Sequence, residues 1–140
     1  MRRFVLLLPL LLVAGACGGD SPTVPSVNVP FSTADLVVGT GPSVVPGRSL
    51  QVAYTGWLYD AAAPENKGAV FDSATTANPF SFVIGSGMVI DGWEQGVLGM
   101  RVGGLRRIIV PPELGYGSSG YGAIPGNATL IFEIELISMR

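Results

Sequence analysis

Apolar and polar positions alternate through most of the chain from residue 34 onward. In "SLQVAYTGWLY", Leu50, Val52, Tyr54 and Gly56 fall on one side and Gln51, Ala53, Thr55 and Trp57 on the other, the two-residue period of a half-buried strand. "ATLIFEIELISM" alternates more regularly: Leu130, Phe132, Ile134 and Leu136 face one way, and Thr129, Ile131, Glu133 and Glu135 the other. The second set predicts a sheet with one wet face, which favours antiparallel pairing. "LRRIIV" and "FSFVIG" predict shorter strands, and "ADLVVGTG" a first edge strand closed by a glycine turn. There is no internal repeat.

One stretch keeps a different period. In "VIDGWEQGVLGM", Ile90, Trp93 and Val97 stand at i, i+3 and i+7, with Leu98 close by, so a short helix would lay one apolar stripe on the sheet. Asp91 and Glu94 fall in its first turns, where the helix dipole favours negative charge. Gly92 and Gly96 flank the indole although each costs a helix roughly 1 kcal/mol. The pattern predicts an α+β domain: a bent antiparallel β-sheet of about five strands wrapped around one short α-helix.

Composition narrows this further. The chain has 140 residues, 48% hydrophobic and 13% charged, with 20 glycines and 11 prolines; this suits one compact, turn-rich domain with appendages. The formal charge is −2. Loss of residues 1–16 would remove Arg2 and Arg3 and leave 6 basic against 10 acidic groups, a balance that excludes a nucleic-acid partner.

The N-terminus has the form of a signal peptide over residues 1–16. "MRR" is a basic flank, Phe4 to Ala16 are 13 apolar or small residues, and "AGA" precedes Cys17; such a stretch is shorter than the roughly 20 residues of a membrane span. The single cysteine lies at this junction, so "VAGAC" resembles the lipobox of bacterial lipoproteins, with Ala14 where that family usually has leucine. The resemblance implies lipidation of Cys17 and a membrane anchor; simple secretion after Ala-x-Ala cleavage is the alternative. Residues 17–30, "CGGDSPTVPSVNVP", are expected to be the anchor cysteine and a flexible tether, leaving residues 31–140 as the domain. The expected location is extracytoplasmic: a lipoprotein facing the periplasm or cell exterior, otherwise a secreted protein.

With no histidine and one cysteine at a processing site, the domain cannot build a Ser-His-Asp triad, a Cys-His pair or an ordinary zinc site. No cofactor or metal is expected. "GYGSSG" (115–120) matches a dinucleotide fingerprint in letters only, because it follows "VPPEL" and lacks a strand-helix-strand setting. Scattered carboxylates such as Asp72, Asp91 and Glu94 read as solvated acids rather than a glycosidase pair.

The motifs "YTG", "VFDS", "NPFSF-IG", "VI-GWE-G", "LGYG" and "IPGNATLIF" occur in this order between about Ala34 and Ile137. Together they resemble the FKBP-type peptidyl-prolyl cis-trans isomerases, the macrolide-binding immunophilins. The resemblance implies a pocket between sheet and helix with Trp93 as its floor. Tyr54, Asp72, Ile90 and Tyr116 are the catalytic candidates it implies. Phe71, Phe80, Val89, Ile124 and Phe132 would join Trp93 in binding substrate or macrolide. On this reading Gly92 and Gly96 permit close helix–sheet packing beside the indole. Partners would be proline-containing unfolded or folding polypeptides and macrolides of the tacrolimus and rapamycin class, bound by a monomer. A leucine or phenylalanine before the proline is expected beside Tyr116 and Ile124, since a charged side chain there would lose water without a partner. A non-catalytic peptide-binding chaperone or scaffold with the same fold is the alternative. Three departures from the smallest family members fall on the pocket rim: extra residues around Ala61 to Gly68, no basic residue in "SATTAN", and an altered "SSGYGAIP" loop.

Overall fold

The computed structural model describes residues 28–140. The expected leader, Cys17 and the tether up to residue 27 lie outside the described residues. The elements follow in the order β1 (Ser32–Val37), β2 (Ser49–Tyr59), β3 (Lys67–Ala74), β4 (Phe80–Val83), α1 (Asp91–Gly96), β5 (Leu105–Val110) and β6 (Leu130–Met139). One antiparallel sheet holds all six strands in the order β1-β5-β6-β2-β3, and β4 also pairs with β2. The long β2 accommodates both: Ser49–Val52 pair with β4 and Tyr54–Tyr59 with β3 along the same edge.

The alternation of β2 and β6 builds the core. Leu50, Val52, Leu130, Phe132, Ile134 and Leu136 are buried with Ile108 and Val110 of β5 and with Trp93 and Val97 from the helical segment. At six residues α1 is too short to persist alone; its packing on β5 holds it. A Cβ at Gly92 would lie 2.5 Å from Val110 Cγ1, and one at Gly96 2.5 Å from Ile108 Cδ1. The two glycines therefore let the helix backbone approach the strand, as expected from their place beside the indole.

Arg106 ties the layers together. Its Nε donates to Asp35 Oδ1 at 2.7 Å across the β1–β5 pair, and its Nη1 donates to the carbonyls of Gly96 at 2.9 Å and Leu98 at 2.8 Å. A cation thus sits where the helix leaves unpaired carbonyls and its dipole is negative.

Four expectations change. A sixth strand, β3, runs through residues whose period is broken by a bulge. Ile131, placed on the wet face by alternation, is only 1% exposed, because its cross-strand neighbours are Trp57 and Ile109 and apolar rows shield one another. Leu98, read into the helix stripe, is 42% exposed; α1 ends at Gly96, and Val97 takes the inward position. The first edge strand begins at Ser32 and ends at Val37, ahead of the glycine turn. The extra residues after β2 form a turn and a short 3-10 segment, Pro64–Asn66, leading into β3. Beside them Glu65, Lys67, Arg107 and Glu133 join in ion pairs of 2.5–3.3 Å.

Candidate functional site

A cavity of about 360 Å³ opens between α1 and the concave side of the sheet. Trp93 is its buried floor, and aromatic rings meet it edge-on: Tyr54 at 4.8 Å and 88° between planes, Phe132 at 5.3 Å and 87°. Phe71 meets Phe132 in the same way, at 5.5 Å and 90°. These perpendicular contacts place the positive edge of one ring against the negative face of the next. Each ring is thereby fixed at one angle around the opening.

The wall on the β3 side depends on a bulge. Asp72 pairs with Gly56 and Val70 with Trp57, so Phe71 is the extra residue between them. In a regular strand Phe71 and Asp72 would point to opposite faces; the bulge lets both line the cavity. Gly56 leaves room for this, since a Cβ there would come within 2.6 Å of Phe71 Cζ.

Asp72 is held by two hydrogen bonds. Its Oδ2 accepts the Tyr54 hydroxyl at 2.5 Å, and its Oδ1 accepts the Ser73 N–H at 2.8 Å. Burial, then the bond to Asp72 and its charge, push the Tyr54 phenol well above the ordinary range. Tyr116 is raised too, first by burial and then by the charge of Asp72 and by Tyr121. Both phenols are therefore proton donors throughout neutral pH.

The segment before the helix forms another wall. Glu94 of α1 accepts the N–H groups of Gly85 at 2.5 Å and Gly87 at 3.1 Å, fastening the loop that delivers Met88, Val89 and Ile90 to the cavity. The Ile90 N–H has no partner among the described residues, while its carbonyl accepts the N–H groups of Trp93 and Glu94. The indole Nε1 of Trp93 is likewise buried without a partner. The cavity thus offers an apolar, aromatic socket, an uncommitted amide and an uncommitted Tyr116 hydroxyl.

Tyr54, Phe71, Asp72, Phe80, Val89, Ile90, Trp93, Tyr116 and Phe132 all line this cavity. Ile124 does not. A two-residue bridge, with Tyr121 and Ile124 exchanging backbone hydrogen bonds of 2.8 and 2.9 Å, holds it instead in an adjoining space of about 220 Å³. Two residues that sequence reasoning missed complete the rim. Met88 lines the main cavity, and its place immediately before Val89 was the only signal. Tyr121 stacks on Tyr116 at 5.4 Å and 16°, a contact made by loop geometry. Among the described residues no group of three or more His, Cys, Asp or Glu side chains is placed to hold a metal ion.

A model of the FKBP-type peptidyl-prolyl cis-trans isomerase family matches residues 41–137. The chain belongs to this family. FK506-binding protein 2 of Dictyostelium discoideum is 42% identical over 140 residues, covering 98% of this chain and 97% of that protein. FK506-binding protein 2B of Rhizopus delemar is 50% identical over 96 residues, 67% of this chain but 43% of that longer protein. The chain thus spans less than half of the Rhizopus relative and nearly all of the Dictyostelium one. The crystal structure of AtFKBP13 superposes with a TM-score of 0.68 at 38% identity, covering 79% of this chain and 93% of that one. The FKBP architecture, an antiparallel sheet folded over one short helix, is that of the present structure.

Proposed function

We propose that the domain accelerates cis-trans rotation about X-Pro bonds in polypeptides. The observation that carries this reading is the aromatic cavity over Trp93 with unpaired donors at its rim, Ile90 N–H and Tyr116 OH. The planar amide is held by resonance with a barrier of about 18–20 kcal/mol, and uncatalysed X-Pro bonds interconvert in tens to hundreds of seconds. Twisting the C–N bond removes the resonance and its charge separation, so an apolar socket favours the twisted amide over the planar one. The proline ring sits among Phe71, Trp93 and Phe132. Ile90 N–H and Tyr116 OH bind flanking carbonyls and hold the twist. Asp72, fixed by Tyr54, sets the field at the rotating carbonyl. No covalent intermediate is required.

Macrolides of the FK506 class are proposed to compete for the same socket, as the names of the relatives indicate for those proteins. The sequence of residues 1–17 supports export with acylation at Cys17, followed by a tether to residue 30 that holds the domain clear of a membrane. The Dictyostelium and fungal relatives are eukaryotic, so this part rests on the lipobox-like residues alone. Clients would then be extracytoplasmic polypeptides, met by a monomer.

Exchange NMR on a short X-Pro peptide tests the proposal. Catalysed exchange that FK506 abolishes is the expected result. Peptide binding without accelerated exchange would leave a chaperone or scaffold module instead.

A further inference from the structure

We propose that Met88 is a site of reversible oxidation by hydroperoxides and that its sulfoxide weakens the proline pocket, an effect on turnover that rests on the isomerase reading. Met88 lines the cavity and is 60% exposed. One thioether side chain thus borders both the solvent, from which an oxidant arrives, and the socket in which a proline ring is held.

Exposure sets the selectivity. Of the four methionines, Met1 lies outside the described residues, Met100 is 2% exposed inside the core, and Met139 packs against that core half-buried. A thioether has no acid–base chemistry to tune its reactivity, so the sulfur that an oxidant can reach reacts first. A sulfur lone pair attacks one oxygen of hydrogen peroxide, the O–O bond breaks and a sulfur–oxygen bond forms. Sulfur gives up two electrons, the peroxide takes them, and water leaves. A thiol-driven methionine sulfoxide reductase returns the two electrons and releases the oxygen as water.

Position sets the consequence. Glu94 accepts the N–H groups of Gly85 and Gly87, so the backbone entering Met88 is held in place at the cavity. The added oxygen is a strong acceptor beside a cavity whose uncommitted groups are donors, the Ile90 N–H two residues further on and the Tyr116 hydroxyl. It competes with substrate carbonyls for them. It also gives a polar surface to a wall where the twisted amide is favoured by an apolar one. The equivalent of one lost substrate hydrogen bond lowers kcat/KM by roughly two- to tenfold.

Treating the full chain with hydrogen peroxide tests this, with peptide mapping to follow which methionines gain oxygen and with exchange NMR and isothermal titration to follow a short X-Pro peptide. Met88 should oxidise ahead of Met100 and Met139. As its sulfoxide accumulates, kcat/KM and peptide affinity should fall together, by roughly two- to tenfold at completion, and methionine sulfoxide reductases acting on both epimers should restore them. Met88→Leu, compared only with its own untreated sample, should lose almost nothing under the same treatment. The only thiol, Cys17, is present in both chains, so the comparison cancels its oxidation. Oxidation of Met100 or Met139 before Met88, unchanged affinity at complete Met88 oxidation, or an equal loss in Met88→Leu would overturn the proposal. The titration keeps the two readings apart: untreated protein that binds the peptide without catalysing exchange sinks the isomerase reading, while the change of affinity on oxidation still decides the role of Met88.

Discussion

Gly92 lies directly over Val110, where a Cβ would come 2.5 Å from Cγ1 and 2.7 Å from Cγ2. Two effects of Gly92→Ala oppose one another. Alanine favours the helix by about 1 kcal/mol, but overpacking against a stiff, branched neighbour costs about 1–3 kcal/mol. A Cβ at 2.5 Å from a branched side chain puts the overpacking cost in the upper part of its range, so sterics should win and Gly92→Ala is expected to be destabilising, by up to about 2 kcal/mol, in urea denaturation. Val110→Ala in the same chain should recover part of that loss. A stabilised Gly92→Ala would mean that propensity, not close approach, governs the site.

Strands β2 and β6 keep a two-residue period because one face is core, and the Trp93–Val97 spacing marks the helix. β3 kept no such period, since the bulge at Phe71 turns consecutive side chains the same way and no residue of the strand is fully buried. Its motif "VFDS" was legible only as a resemblance. Ile131 was misplaced because alternation reports the face of a residue and not the bulk of its cross-strand neighbours. The Tyr116–Tyr121 stack and the separation of Ile124 from the main cavity come from loop closure, which has no period at all.

Within the pocket, substitutions should separate binding from folding. Tyr116→Phe removes an unpaired hydroxyl, so stability should change by no more than about 0.5 kcal/mol. Loss of one substrate hydrogen bond, worth about 0.5–1.5 kcal/mol net, should lower kcat/KM by roughly two- to tenfold. Trp93→Leu should weaken FK506-class binding and lower kcat/KM by more than Tyr116→Phe. Phe132→Ala should add a stability loss of about 3–5 kcal/mol, because its ring is part of the core. Thermal denaturation and exchange NMR on the three variants distinguish these effects. An unfolded Tyr116→Phe would make the hydroxyl a structural partner.

Cys17→Ser removes the only thiol. If Cys17 is acylated and anchors the chain, the variant should move from the membrane fraction to the soluble fraction while its isomerase activity is retained. Intact-mass measurement of the mature wild type should show the added acyl chains. Unchanged fractionation of the variant, or a mature mass without acyl groups, would remove the lipoprotein reading without touching the domain.

The two pocket phenols predict the pH behaviour. Nothing in the proposed rotation transfers a proton, and unperturbed Asp, Tyr and Lys side chains do not titrate between about pH 6 and 8, so kcat/KM should be nearly flat there. Stability should respond in alkali instead. Tyr54 and Tyr116 are raised in the folded state above the ordinary value of 10.0, chiefly by burial, so between that value and the folded one the native chain holds more protons than the unfolded chain. Their contribution is fully present below about pH 10 and is lost as pH rises through the folded pKa values. Urea midpoints measured from pH 8 to 11.5 should therefore hold steady and then fall, and Tyr54→Phe should flatten the fall because it removes the more strongly shifted group. A midpoint that rises with alkali, or a sigmoid in kcat/KM near pH 7, would place an ionising group in the site that these phenols and Asp72 do not account for.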